Sequence, residues 1–156
     1  MKTIIIGLGN PVLSDDGVGV QIVRLVQQEM ASEQGYCFAE GALGGLNLME
    51  RLVGFEHAVI VDAFITGQRQ PGSVIACELE ELPDTLHTWS SHDTTLTVAM
   101  ELGRIIGLVL PTSIRIWGIE VRNVDTFGER FSQDVETAIP GVVREVVAYL
   151  RGCETS

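Results

Sequence analysis

Two hydrophobic periods alternate along the chain, and few folds accommodate that alternation. Lys2-Thr3-Ile4-Ile5-Ile6 is a β-branched run without polar alternation, the pattern of a strand buried on both faces. It stops at Gly7-Leu8-Gly9-Asn10-Pro11, after which Val18, Ile22, Leu25, Val26 and Met30 recur at helical spacing. That helix is expected to start near Asp15-Asp16, because aspartate caps helix N-termini and favours the positive end of the dipole. The same alternation predicts a strand over 36–39, a glycine loop over 41–45, a short helix over 46–52, and a buried strand from His57 that ends at Asp62. Pro71-Gly72 signals a turn before a strand over 73–79, which can be antiparallel given so tight a connection. Leu96, Ala99, Met100, Leu102 and Ile106 mark a helix expected to begin at 90–93, followed by a strand over 113–119. Val135, Ile139, Val142, Val143, Val146 and Leu150 complete the set with an amphipathic helix. Pro140 is expected to kink it or split it into a short and a longer piece.

The order β-α-β-α-β-β-α-β-α implies an α/β layer fold with a mostly parallel sheet. The 156 residues, 46% of them hydrophobic, suit one domain over 1–156 with a proper core. Twenty-one acids against ten bases give a net charge of -11. Such a charge repels phosphate backbones and argues against nonspecific binding to nucleic acid or anionic membranes. The bases, nine Arg and Lys2, are scattered rather than clustered. No stretch has the length of a membrane span, and the run from Ile4 to Leu8 is too short for a signal-peptide core. Cys37, Cys77 and Cys153 are odd in number and far apart, which fits buried thiols in a reducing, cytoplasmic compartment better than a disulfide framework or a zinc site.

Ligands of open α/β sheets bind outside the carboxyl ends of the strands. Three polar features fall there: the loop from Gly9-Asn10 to Asp15-Asp16, the strand-end Asp62, and His92 in Ser90-Ser91-His92-Asp93. Two carboxylates and an imidazole from separate loops could hold a borderline metal with open positions left over. Each also has a structural alternative: Asp15 or Asp16 as a cap, Asp62 as a turn acceptor, His92 as a solvent-exposed side chain. The glycine loop invites a dinucleotide reading, with Glu40 as the ribose-binding acid. However, Val12 stands where the third glycine of G-x-G-x-x-G belongs, and two acids at the loop would repel a pyrophosphate.

Gly7-Leu8-Gly9-Asn10-Pro11 looks like the start of peptidyl-tRNA hydrolases, a likeness that ends within five residues. No His precedes His57, and the charge is wrong for tRNA. The longer segment Gly7-Leu8-Gly9-Asn10-Pro11-Val12-Leu13-Ser14-Asp15-Asp16-Gly17-Val18-Gly19 closely resembles the N-terminal motif of the hydrogenase maturation proteases. The likeness continues at Val61-Asp62-Ala63, Pro71-Gly72-Ser73, Ser91-His92-Asp93-Thr94-Thr95-Leu96 and Trp117-Gly118-Ile119-Glu120. It implies a three-layer α/β/α sandwich of the phosphorylase/hydrolase-like kind. It also implies an endopeptidase that removes the C-terminal extension of a nickel-iron hydrogenase large-subunit precursor. Under the resemblance Asp16, Asp62 and His92 are the catalytic and metal-contacting positions. The metal is nickel carried in by the precursor, and no permanent cofactor is expected. The partner is that precursor, with no nucleic acid and no membrane. Two other classes are a nucleotide-binding accessory module and a non-catalytic hydrogenase chaperone.

Overall fold

In the computed structural model, residues 2–82, 95–122, 128 and 130–154 are described. The first strand, β1 (Thr3–Leu8), is buried along its whole length, as its unbroken apolar run requires. A 3-10 turn, Ser14–Gly17, follows and leads into α1 (Val18–Glu29), so the helix starts after the two aspartates. The N-cap of α1 is Gly17, without a side-chain cap. Next come β2 (Tyr36–Gly41), α2 (Gly45–Leu52) and β3 (His57–Phe64). The expected end of β3 at Asp62 is corrected: two further residues pair with the neighbouring strand, Ala63 with Ile119 and Phe64 with Glu120.

The remaining elements are β4 (Val74–Glu78), α3 (Leu96–Ile105), β5 (Ser113–Glu120) and α4 (Gln133–Glu154). The N-cap of α3 is Thr95, whose side chain accepts from Val98 N, so this helix starts later than 90–93. The last helix is one element through Pro140 rather than two. Proline there removes the N–H that would bond the Glu136 carbonyl. Both residues are exposed, so water can take the place of the missing donor.

The sheet order is β2-β1-β3-β5-β4. Four strands are parallel, and β4 runs antiparallel to β5. The chain rises along β3, crosses the tip of β5 through residues 65–73, and descends as β4. No crossover helix intervenes, so the antiparallel direction follows.

Alternate sheet residues feed two cores. Ile5, Val59, Val61, Trp117 and Ile119 pack with α1 and α4 on one face. Ile4, Ile6, Ile60, Ile114 and Ile116 pack with α2 and α3 on the other. This is the expected α/β/α sandwich with a mostly parallel, partly mixed sheet. Helix α1 leaves β1 toward one face and α2 leaves β2 toward the other, so the winding reverses at β1. Such a switch point opens a crevice at the carboxyl ends of the central strands, here β1 and β3.

Candidate active site

The crevice is built from main chain before any side chain enters it. Gly9 lies just past β1 at φ 128°, a conformation that L side chains rarely adopt, and a Cβ there would sit 2.0 Å from the Asp16 carbonyl. Gly19, in the first turn of α1, leaves its own Cβ position to the Val61 carbonyl of β3, 2.3 Å away. The loop after β1 is thereby closed tightly on itself, and the first turn of α1 is pressed onto β3. Since Gly7 of β1 pairs with Val61, the turn holding Asp16 and the strand position of Asp62 arrive at the same end of the sheet.

The two adjacent acids do different work. Asp15 is buried, 3% exposed, and accepts from both the backbone N–H and the hydroxyl of Ser132, each at 2.8 Å. Ser132 immediately precedes α4, so this carboxylate also faces the positive end of that helix. Asp16 is half-buried and takes the Asn10 N–H on Oδ2 at 2.7 Å, which turns it back over the glycine loop. Neither caps α1, which corrects the capping expectation: Asp15 is committed to α4, and Asp16 remains at the crevice.

The loop is tied down elsewhere as well. Ser14 N donates to the Gly128 carbonyl at 2.8 Å, Gly128 N to the Val12 carbonyl at 2.9 Å, and Ser14 Oγ to the Arg130 carbonyl at 2.9 Å. Ser14 carries φ 42°, a left-handed conformation for a residue with a Cβ, and these bonds over-determine it. A cleft of about 660 Å³ opens beside the turn, lined by Pro11, Gly17, Gln21, Arg24, Arg130, Phe131 and Glu136.

Asp62 is 6% exposed, and its Oδ1 accepts from the N–H of Ala63 at 2.8 Å. It is thus held within the strand rather than on a mobile turn. His92 lies outside the described residues, so the three expected site residues are two carboxylates placed at one sheet end and a third position carried by the sequence. Among the described residues no group of three His, Cys, Asp or Glu is positioned to hold a metal ion.

Glu40 does not stand ready for a ribose. Arg24 donates to it twice, at 2.8 and 2.6 Å, and this hydrogen bonding holds the carboxyl below the usual glutamate value. The dinucleotide reading thereby loses the acid it needs.

Comparison with known proteins identifies the family and the fold. The family model described as hydrogenase maturation protease matches residues 20–149. The chain belongs to the hydrogenase maturation protease family. The hydrogenase 2 maturation protease of Escherichia coli strain K12 is 24% identical over 152 residues, spanning 97% of this chain and 92% of that protein. The hydrogenase expression/formation protein HupD of Thiocapsa roseopersicina is 24% identical over 151 residues, 96% of this chain and 67% of its own length. Among solved structures, the hydrogenase maturating endopeptidase HybD from E. coli superposes with a TM-score of 0.81 at 23% identity, covering 98% of this chain and 94% of that one. The [NiFe] hydrogenase maturation protease HybD from Thermococcus kodakarensis gives 0.65 at 26% identity, covering 96% and 99%.

For this maturation protease the family match includes Asp62, His92 and Glu120 and begins four residues past Asp16. The sequence patterns alone missed two other polar groups. The commitment of Asp15 to α4 could not be seen, because Ser132 is 117 residues away. Glu120 was singled out only through the resemblance. It is 1% exposed and accepts from both the N–H and the hydroxyl of Thr66. No helix among the described residues is long and apolar enough to cross a membrane.

Proposed function

We propose that this maturation protease is an endopeptidase that removes the C-terminal extension of the large-subunit precursor of a nickel-iron hydrogenase, and that it reads the nickel already bound in that precursor. The observation that carries the reading is the delivery of Asp16 and Asp62, from two separate elements, to the switch-point end of the sheet in a chain of this family. His92 is the third member by its motif, Ser91-His92-Asp93-Thr94-Thr95-Leu96.

Two carboxylate oxygens and one imidazole nitrogen make a mixed donor set suited to a borderline divalent ion. The ion belongs to the substrate, so the protease itself needs no resident cofactor. A precursor without nickel lacks the bridge to Asp16, Asp62 and His92 and docks weakly, which makes the cut a check on metal loading. Two routes to peptide-bond cleavage use the same residues. In one the nickel polarises the scissile carbonyl or activates water. In the other a carboxylate, Asp16 or Asp62, takes the proton of the attacking water as general base. The unit is read as a single domain over 1–156 that works in the cytoplasm, in keeping with the free thiols of Cys37 and Cys77.

The test is to incubate the protein with nickel-loaded and nickel-free precursor and to weigh the large subunit. Loss of the extension from the loaded form alone is expected. Asp16→Asn, Asp62→Asn and His92→Ala should each reduce processing by at least about a hundredfold, the scale of losing a catalytic group, with unfolding midpoints near that of the parent. Equal cleavage of both precursors, or normal cleavage by the variants, would overturn the reading. Binding without any mass change would favour a chaperone.

A further inference from the structure

We infer that Glu120 is a positioning residue that fixes the 65–73 loop as a rigid docking wall for the precursor chain beside Asp62. The inference rests on the proposed function, and its ground is the course of the chain over the tip of β5. Because β4 lies beyond β5 in the sheet, residues 65–73 must pass over the carboxyl end of β5, the same edge at which Asp16 and Asp62 emerge. Glu120 is the last residue of β5 and sits directly under that passage.

Its main chain holds the far end of the loop. Glu120 N donates to the Ser73 carbonyl and Gly72 N donates to the Glu120 carbonyl, both at 2.8 Å. Its side chain holds the near end: Thr66 N donates to Oε2 at 2.9 Å, and the Thr66 hydroxyl donates to Oε1. The Thr66 hydroxyl in turn accepts from Gln68 N at 3.1 Å. One residue thus ties both feet of the loop, while Ile65 and residues 67–70 between them are exposed.

A merely structural tether would not require this chemistry. Glu120 is 1% exposed, and among the described residues no Lys, Arg or His pairs with it. Burying a carboxylate is costly, and an apolar side chain could anchor a loop by packing instead. What the carboxylate provides is directional: two acceptors that set the orientation of Thr66, four residues along the chain from Asp62. The loop then presents a preformed surface at the crevice edge, and a preorganised surface binds more tightly because less ordering is left to binding.

The experiment compares Glu120→Ala, Glu120→Gln, Thr66→Val and Thr66→Ser in the full chain, with precursor cleavage kinetics and amide hydrogen exchange. In Glu120→Ala and Thr66→Val, KM for the precursor should rise about tenfold with kcat within about twofold of the parent, the signature of lost binding rather than lost chemistry. Amide protection at Thr66 and Gly72 should fall, while β1 keeps its protection. Thr66→Ser, which retains the hydroxyl, should restore the parent KM. Should Glu120→Ala fail to fold, Glu120→Gln and Thr66→Val carry the same readouts. An unchanged KM with lowered stability, or a fall in kcat alone, would overturn the inference. If the parent cleaves no precursor, the proposed function fails instead, and the exchange measurement still reports whether Glu120 holds the loop.

Discussion

Replacing Asp15 with alanine removes a carboxylate that joins the site loop to the start of α4 across 117 residues of sequence. Two hydrogen bonds go with it, both to Ser132 and both at 2.8 Å. Hydrogen bonds to a charged group contribute about 1.5–3 kcal/mol each, and leaving the Ser132 N–H without its acceptor adds to the loss. A carboxylate at a helix N-terminus contributes a further ~0.3–1 kcal/mol. Relief of the buried charge offsets part of this, so the net expected cost is about 3 kcal/mol, within the usual range for breaking a buried polar network. For a chain of this size that is a fall in Tm of roughly 6–12 °C. Asp16→Asn keeps an acceptor for the Asn10 N–H and should lose less than about 1 kcal/mol, as surface-facing substitutions do. The assay is urea unfolding followed by circular dichroism, on Asp15→Ala, Ser132→Ala, the double variant and Asp16→Asn. Coupling of at least about 0.5 kcal/mol is expected between Asp15 and Ser132, since they are direct partners. Strict additivity of that pair, or a larger stability loss at Asp16 than at Asp15, would refute the division of labour between the two acids.

Three further outcomes follow from the geometry. Gly19→Ala forces a Cβ to within 2.3 Å of the Val61 carbonyl. Overpacking against backbone should cost about 3 kcal/mol or more, read as a drop in Tm, and a parent-like Tm would contradict the close approach. Glu40→Gln removes a pair whose side chains are 47% and 42% exposed, so the loss at neutral pH should stay below about 1 kcal/mol. Because the folded-state pKa of Glu40 is lowered, this stabilisation is present above its ordinary value of 4.5 and is lost as pH falls through the depressed value. Parent and variant stabilities should therefore converge in acid, and a gap that widens there would be wrong in sign. Burial, helped by Glu81 and Glu78 and opposed by Arg115, pushes the Cys77 thiol up. Iodoacetamide should therefore modify exposed Cys37 well before Cys77, a sequence that peptide mass mapping at timed quenches can establish.

Among the described residues, periodicity and turn signals located the five strands and four α-helices, because runs such as Ile4 to Ile6 and Val59 to Val61 need no distant information to be recognised. Strand and helix ends depend on partners instead. β3 runs on to Phe64 because β5 offers Ile119 and Glu120 to pair with, and nothing near Asp62 in the sequence reveals that. The start of α3 is set by Thr95, whose hydroxyl accepts from Val98 N. Of the kink or split expected at Pro140, the split does not occur, because its exposed setting lets the helix continue. At the site the spacing left either Asp15 or Asp16 as a cap and the resemblance assigned Asp16, while the commitment of Asp15 depends on Ser132 far along the chain. Glu120 enters through the resemblance alone, and its hold on Thr66 depends on the passage of 65–73 above it.

The contact between Gly19 and the Val61 carbonyl has a consequence for how such a site tolerates change. It is a spacing set by backbone against backbone, so the gap between the Asp16 turn and the Asp62 strand is gauged by atoms every residue shares. Repacking Ile5, Val59 or Val142 alters what fills the layers above and below without lengthening that gauge. Core volume can drift while the distance across the crevice stays constant, whereas a side chain at position 19 itself would reset it.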